Sequence, residues 1–145
     1  MLSTPHLLVG AAIGQIIPNP ALAIPLSFLS HFPLDAVPHW DGGAPKPPFK
    51  LTTVLKTILD LTFGLALIFV IISGKQRELS ILASSLAAIS PDIIQGMITI
   101  LGLKWKPLNV FSTFHLNIQG RIGPVIGLYT STVTAVIALL LLLRS

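Results

Sequence analysis

Residues 122 to 143 read IGPVIGLYTSTVTAVIALLLLL, from Ile122 to Leu143, without one charged side chain, and Arg144 closes the run. A helix needs about 20 apolar residues to cross roughly 30 Å of hydrocarbon, so this stretch is a membrane span and reads as a plain anchor. Working back towards the N-terminus, two further runs reach the same length. Leu79 to Leu103 carries Ser90-Pro91-Asp92 near its centre, and Leu51 to Ser73 is interrupted by Lys56 and Asp60. Two shorter apolar runs precede them, Pro5 to Ile17 and Ala21 to Phe32, separated by Pro18-Asn19-Pro20. As helices they reach only about 18–20 Å, which predicts a hairpin that is either re-entrant or completed by its flanks. The loop from Pro33 to Phe49 holds Pro33, Pro38, Pro45, Pro47, Pro48, Gly42 and Gly43, and irregular backbone is expected there. The expected fold is all-α: a polytopic membrane helical bundle of three full spans plus an N-terminal short helical hairpin, about five helices. Residues 1–145 form a single integral membrane domain.

Composition agrees with this reading. Of 145 residues, 52% are hydrophobic and 10% charged, against about 25% charged in soluble domains. The mean hydropathy of +0.86 leaves too little polar surface for a fold in water. The net charge of +4 comes from basic residues that flank spans rather than cluster with aromatics, so no nucleic-acid partner is expected and the lipid bilayer is. No cysteine is present, which excludes disulfides, thiolate ligands and a cysteine nucleophile. The N-terminal run lacks the basic segment and cleavage-like site of a secretory signal and is expected to be retained.

The five acids and four histidines carry the functional reading. Let the face of residue 1 be side A. Lys46, Lys50, Lys104, Lys106 and Arg121 then lie on A, against Lys75, Arg77 and Arg144 on B, which makes A the expected cytoplasmic face. His6, His31, Asp35, His39, Asp41 and His115 all fall on side A, and Asp60 and Asp92 lie roughly 15 Å deep in their spans. Eight of the nine can face one cavity, and only Glu78 falls on side B.

His31, Asp35 and His39 recur at intervals of four, which brings the side chains to one face of a helical turn even where Pro33 and Pro38 kink it. Neutral imidazole with carboxylate suits a divalent metal, one or two ions, zinc first and manganese or iron next. The plainer reading is a solvated polar loop. A carboxylate in mid-span costs at least about 2.5–3.5 kcal/mol and normally faces a partner or a wet cavity. For Asp60 the plain partner is Lys56, four residues earlier; for Asp92 it is the set of N–H groups freed where Pro91 breaks its helix. Gly10 and Gly14 form a small-residue face behind His6 on which another helix can pack. His115 precedes Asn117 and Gln119, which could orient ligands, or else the stretch is an interfacial loop held by Phe111 and Phe114.

The chain holds no GxSxG, P-loop, HExxH or GxGxxG signature, so covalent catalysis has no support and a metal-activated water is the one hydrolytic route. The expected function is a membrane-embedded metal-dependent hydrolase with Asp60 or Asp92 as the base, acting on a lipid or phosphoester substrate reached from the bilayer. The alternatives are cation or proton transport through the deep aspartates and a non-enzymatic metal-binding protein. Transport requires polar residues reaching side B, where this chain puts only Glu78 and a short basic turn.

The ordered set Thr4-Pro5-His6-Leu7-Leu8-Val9-Gly10, Ser30-His31-x3-Asp35-x2-Pro38-His39-x-Asp41, Ser90-Pro91-Asp92 and Phe114-His115 resembles the YbcI-like group of small bacterial predicted membrane-bound metal-dependent hydrolases. The resemblance covers most of the chain. It implies a multi-helix membrane protein with His6, His31, Asp35, His39, Asp92 and His115 as metal ligands, and Asp41 and Asp60 beside them.

Overall fold

The computed structural model describes residues 1–41 and 50–144. Six helices make up the described residues: α1 (Ser3–Ile16), α2 (Pro20–Ala36), α3 (Leu51–Ile72), α4 (Glu78–Leu101), α5 (Lys106–Ile118) and α6 (Pro124–Leu143). Helices α3, α4 and α6 are long and apolar enough to cross a membrane. Their outward faces carry Phe63, Phe69, Val70, Leu79, Val125 and Tyr129, each more than 60% exposed in the isolated chain. That much uncovered apolar surface suits lipid as the solvent.

α1 is the hub, packing against α2, α3, α4 and α6. Its sequence is apolar all round, so it has no solvent face, and Leu7, Leu8, Ala11 and Ala12 join Ile68, Ile72, Ile81, Ile89, Ala138 and Leu142 in the core. The expected small-residue face is the seam with α4. A Cβ on Gly10 would stand 2.6 Å from the Ser84 carbonyl oxygen and the Ala88 Cβ, and one on Gly14 would stand 2.8 Å from the Ser84 side chain. The seam is also hydrogen-bonded, with Ser85 Oγ donating to the Leu7 carbonyl at 2.9 Å. At the far end, Arg77 Nη2 donates to the Gln15 carbonyl at 2.8 Å, tying the end of α1 to the α3–α4 turn.

Three features differ from the sequence expectation. α2 starts at the cap Asn19, whose side chain accepts from Ala21 N, and it runs on through Pro25 and Pro33 to Ala36, so residues 33–36 are helix rather than loop. Residues 37–41 lie outside any helix, as expected, and the remainder of the expected irregular loop, with Lys46, falls on 42–49, outside the described residues. α4 runs unbroken through Pro91 and stops at Gly102, whose φ of 61° is the left-handed conformation glycine adopts without strain. Ser90 Oγ donates at 2.8 Å to the Ala87 carbonyl, the one that loses its helical donor to Pro91, which is how the helix tolerates the proline. The stretch before the last span is itself a helix, α5, entered at Trp105 with Pro107 in its first turn, so the count is six rather than five.

α6 does more than anchor. Gly127 lies flush against Trp40, where a Cβ would run into the Trp40 backbone nitrogen, and Thr130 Oγ1 donates to the Pro38 carbonyl. The segment leading into α6 pairs with the chain after α2: His39 N donates to the Gly120 carbonyl at 2.7 Å, Ile122 N to the His39 carbonyl at 2.9 Å, and Gly120 N to the Asp35 carbonyl at 2.8 Å.

Candidate metal centre

Asp35 is the middle of the site. It is the penultimate residue of α2 and fully buried, with His31 one turn earlier on the same face. Asp35 Oδ2 stands 3.1 Å from His31 Nε2 and 3.2 Å from His115 Nε2, and the two imidazole nitrogens are 2.9 Å apart. Asp92 Oδ1, from α4, lies 3.6 Å from His31 Nε2 and 3.5 Å from His115 Nε2. Four donor atoms from α2, α4 and α5 thus face one point. For ligands 2.0–2.1 Å from a zinc ion, the edge of a tetrahedron is about 3.3 Å, and the five separations that involve an imidazole nitrogen straddle that value. The buried group His31, Asp35, Asp92 and His115 can hold a metal ion.

Supporting contacts fix the rings. His31 Nδ1 lies 2.8 Å from the Ala88 carbonyl oxygen. A carbonyl only accepts, so Nδ1 carries the hydrogen and Nε2 presents its lone pair to the site, the state a metal ligand requires. His6 stacks on His31 with centroids 4.1 Å apart, Phe111 stacks on His115 at 5.6 Å, and Phe32 meets both histidine rings edge-on. His6, Phe32 and Phe111 thus pack directly against the two imidazoles. His31, Asp35 and His115 are fully buried, whereas the Asp92 side chain is 31% exposed and forms the one wet edge of the four.

The second carboxylate oxygen of Asp35 serves the other two histidines. His6 Nε2 is 3.1 Å from Oδ1 and His39 Nε2 is 3.9 Å away, while the Met1 amino nitrogen lies within hydrogen-bond distance of the same atom. His39 lies beyond α2, and its Nδ1 donates to the Val37 carbonyl at 2.8 Å. Burial is the main reason its imidazole is held below its ordinary pKa.

Two of the sequence candidates stand outside the cluster. Asp60 is taken up by α1: Leu2, at the cap position, offers no side-chain bond, and the Asp60 carboxylate accepts from Ser3 N and from Thr4 N at 3.3 Å and Thr4 Oγ1 at 2.8 Å. α3 thereby caps α1, and the mid-span charge is answered by a helix N-terminus rather than by Lys56, whose Nζ stands 5.6 Å from the centre of the Trp40 ring. Asp41 pairs with Arg121 at 2.9 Å near the surface. Nor do the polar residues after His115 orient it, since Gln119 accepts from Arg121 and Asn117 is exposed. The carbonyls of Ala88 and Val37 and the ring of Phe111 do that work of positioning. Of these, only Phe111 left a trace in the sequence, and there it read as an anchor of an interfacial loop rather than as a support for His115.

Compared with protein-family models, curated proteins and solved structures, the chain finds no match.

Proposed function

We propose that this protein is a membrane-embedded metal-dependent hydrolase whose substrate is a lipid or other phosphoester that reaches the site from the bilayer. The observation that carries the reading is the set of four donor atoms all within 4.8 Å of one another, the two imidazole nitrogens lying 2.9 Å apart and 3.1 to 3.6 Å from the two carboxylates, with three of the atoms on fully buried residues and one on a partly exposed carboxylate. A divalent ion held there, zinc first, would lower the pKa of a bound water towards neutrality. Asp92 has the exposure and position to accept the proton of that water, while His31, His115 and Asp35 hold the centre in place. Asp92 lies nine residues before the end of α4, about 13.5 Å inward along that helix, so the substrate must bring its ester linkage below the headgroup level. Residence in a bacterial inner membrane belongs to the same proposal.

One observation favours a second reading. Four protein ligands close a tetrahedron, as in structural metal sites, whereas catalytic sites leave one position open. A non-enzymatic metal-binding protein would then use Asp92 as a permanent ligand.

Purified protein in mild detergent, with its metal counted and a phosphoester panel tested in mixed micelles, separates the two. The hydrolase reading expects a stoichiometric ion and metal-dependent turnover that Asp92→Ala abolishes while some metal is retained. A stoichiometric ion with no turnover in wild type favours the structural site, and absence of metal removes both.

A further inference from the structure

We propose that the cluster is built for two cations, with Asp35 as the bridge: Asp35 Oδ1, His6 Nε2 and His39 Nε2 form a second divalent-cation site beside the four-ligand centre. The inference rests on the metal reading above and extends it. Asp35 divides its two oxygens cleanly, Oδ2 to His31 and His115 and Oδ1 to His6 and His39. A carboxylate presented in this way, with imidazoles on both edges, is what two-metal sites use to hold ions about 3.5–4 Å apart.

His39 supplies the independent observation. Its Nδ1 donates to the Val37 carbonyl, so Nε2 carries a lone pair rather than a hydrogen. That Nε2 is fully buried, finds no hydrogen-bond partner among the described residues and faces Asp35 Oδ1 across 3.9 Å. Two acceptors facing each other away from water are unfavourable unless a cation stands between them.

Elaborate backbone support holds His39 in place. Its own N–H and carbonyl are engaged by Gly120 and Ile122, Gly120 N is bound to the Asp35 carbonyl, and α6 presses Gly127 and Thr130 against residues 38–40. Contacts from α2, α6 and the segment before α6 thus fix one imidazole whose free nitrogen has no other use. Charge points to the ligand class as well. Asp35 and Asp92 are the only carboxylates in the cluster, since Asp60 caps α1 and Asp41 pairs with Arg121. Two divalent ions on two carboxylates leave two positive charges, complementary to the dianion of a phosphate monoester.

The test uses the full chain in detergent, loaded with Mn²⁺ or Zn²⁺ and freed of excess by gel filtration. Metal counting is expected to give two ions per chain in wild type and one in His39→Gln and His6→Gln. The Mn²⁺ form of wild type is expected to show the exchange-coupled paramagnetic signal of a pair, a readout that needs no variant. One ion in wild type, uncoupled and unchanged in His39→Gln, overturns the second site while leaving the four-ligand centre standing; it is the result expected if the Met1 ammonium permanently fills that edge. No ion in wild type overturns the second site together with the reading it rests on.

Discussion

His31 Nδ1 donates to the carbonyl of Ala88, which lies one helical turn before Asp92 on the same helix. α4 therefore supplies one member of the buried cluster and fixes the orientation of another that belongs to α2. Because Ala88 also sits in the glycine seam with α1, the packing of α1 on α4 and the aim of His31 are mechanically joined.

That joint can be tested at Gly10. A methyl group there has no room against the Ser84 carbonyl and Ala88, so Gly10→Ala is expected to cost about 1–3 kcal/mol and to weaken metal retention by displacing the carbonyl that His31 needs. Gly96→Ala, where a Cβ meets nothing within 4 Å, is expected to be neutral or to gain up to about 1 kcal/mol in mid-helix. Thermal unfolding in detergent with parallel metal counts compares them; equal behaviour of the two variants would show that the seam does not control the site.

Asp35→Asn keeps the shape and removes the charge on which four imidazoles converge. Metal affinity is expected to fall by at least about 100-fold, more than the 10–100-fold typical of loss of an outer-shell partner. Retention of wild-type affinity by Asp35→Asn, measured by competition with a chelator of known strength, would remove Asp35 from the ligand set.

Asp60 behaves as a helix cap in this structure. Asp60→Ala is expected to lower stability by about 1–2 kcal/mol through loss of the bonds to Ser3 and Thr4, with metal content unchanged. Loss of the ion in this variant, without loss of fold, would return Asp60 to the centre.

The pH response follows from His39. Its imidazole is held below the ordinary value near 6.5 by burial, so the unfolded chain takes up a proton that the folded chain resists. Stability is level above pH of about 6.5 and declines as the pH falls below it, and protons compete with the ion for the same nitrogens over that interval. Melting temperature and bound metal, followed from neutral pH down to about 5, should fall together; a melting temperature that rises on acidification contradicts the assignment.

The three long spans were legible because mid-bilayer helices are written in composition, and α3, α4 and α6 begin and end within a few residues of the apolar runs. That His31, Asp35, Asp92 and His115 come together was legible for a related reason: in so apolar a chain, few polar residues are available to meet. What could not be read was tertiary substitution. Asp60 looked like a site acid because nothing in the sequence says that α1 lacks its own cap and borrows one from α3. Pro33 and Pro91 looked like breaks because local propensity cannot anticipate that packing and a neighbouring serine carry a helix through them. α5 escaped notice because its polar face and short length leave a weak apolar signal, although it delivers His115.

This chain has no cysteine and so no covalent means of joining distant segments. An ion on His31, Asp35, Asp92 and His115 would do that work, since its ligands are drawn from three helices and its first and last are separated by more than half of the sequence. Ligand closure of so long a loop restricts the unfolded ensemble as a disulfide does. A chelator applied to this protein should therefore act as a reducing agent does on a secreted domain, loosening the whole bundle rather than silencing a local site.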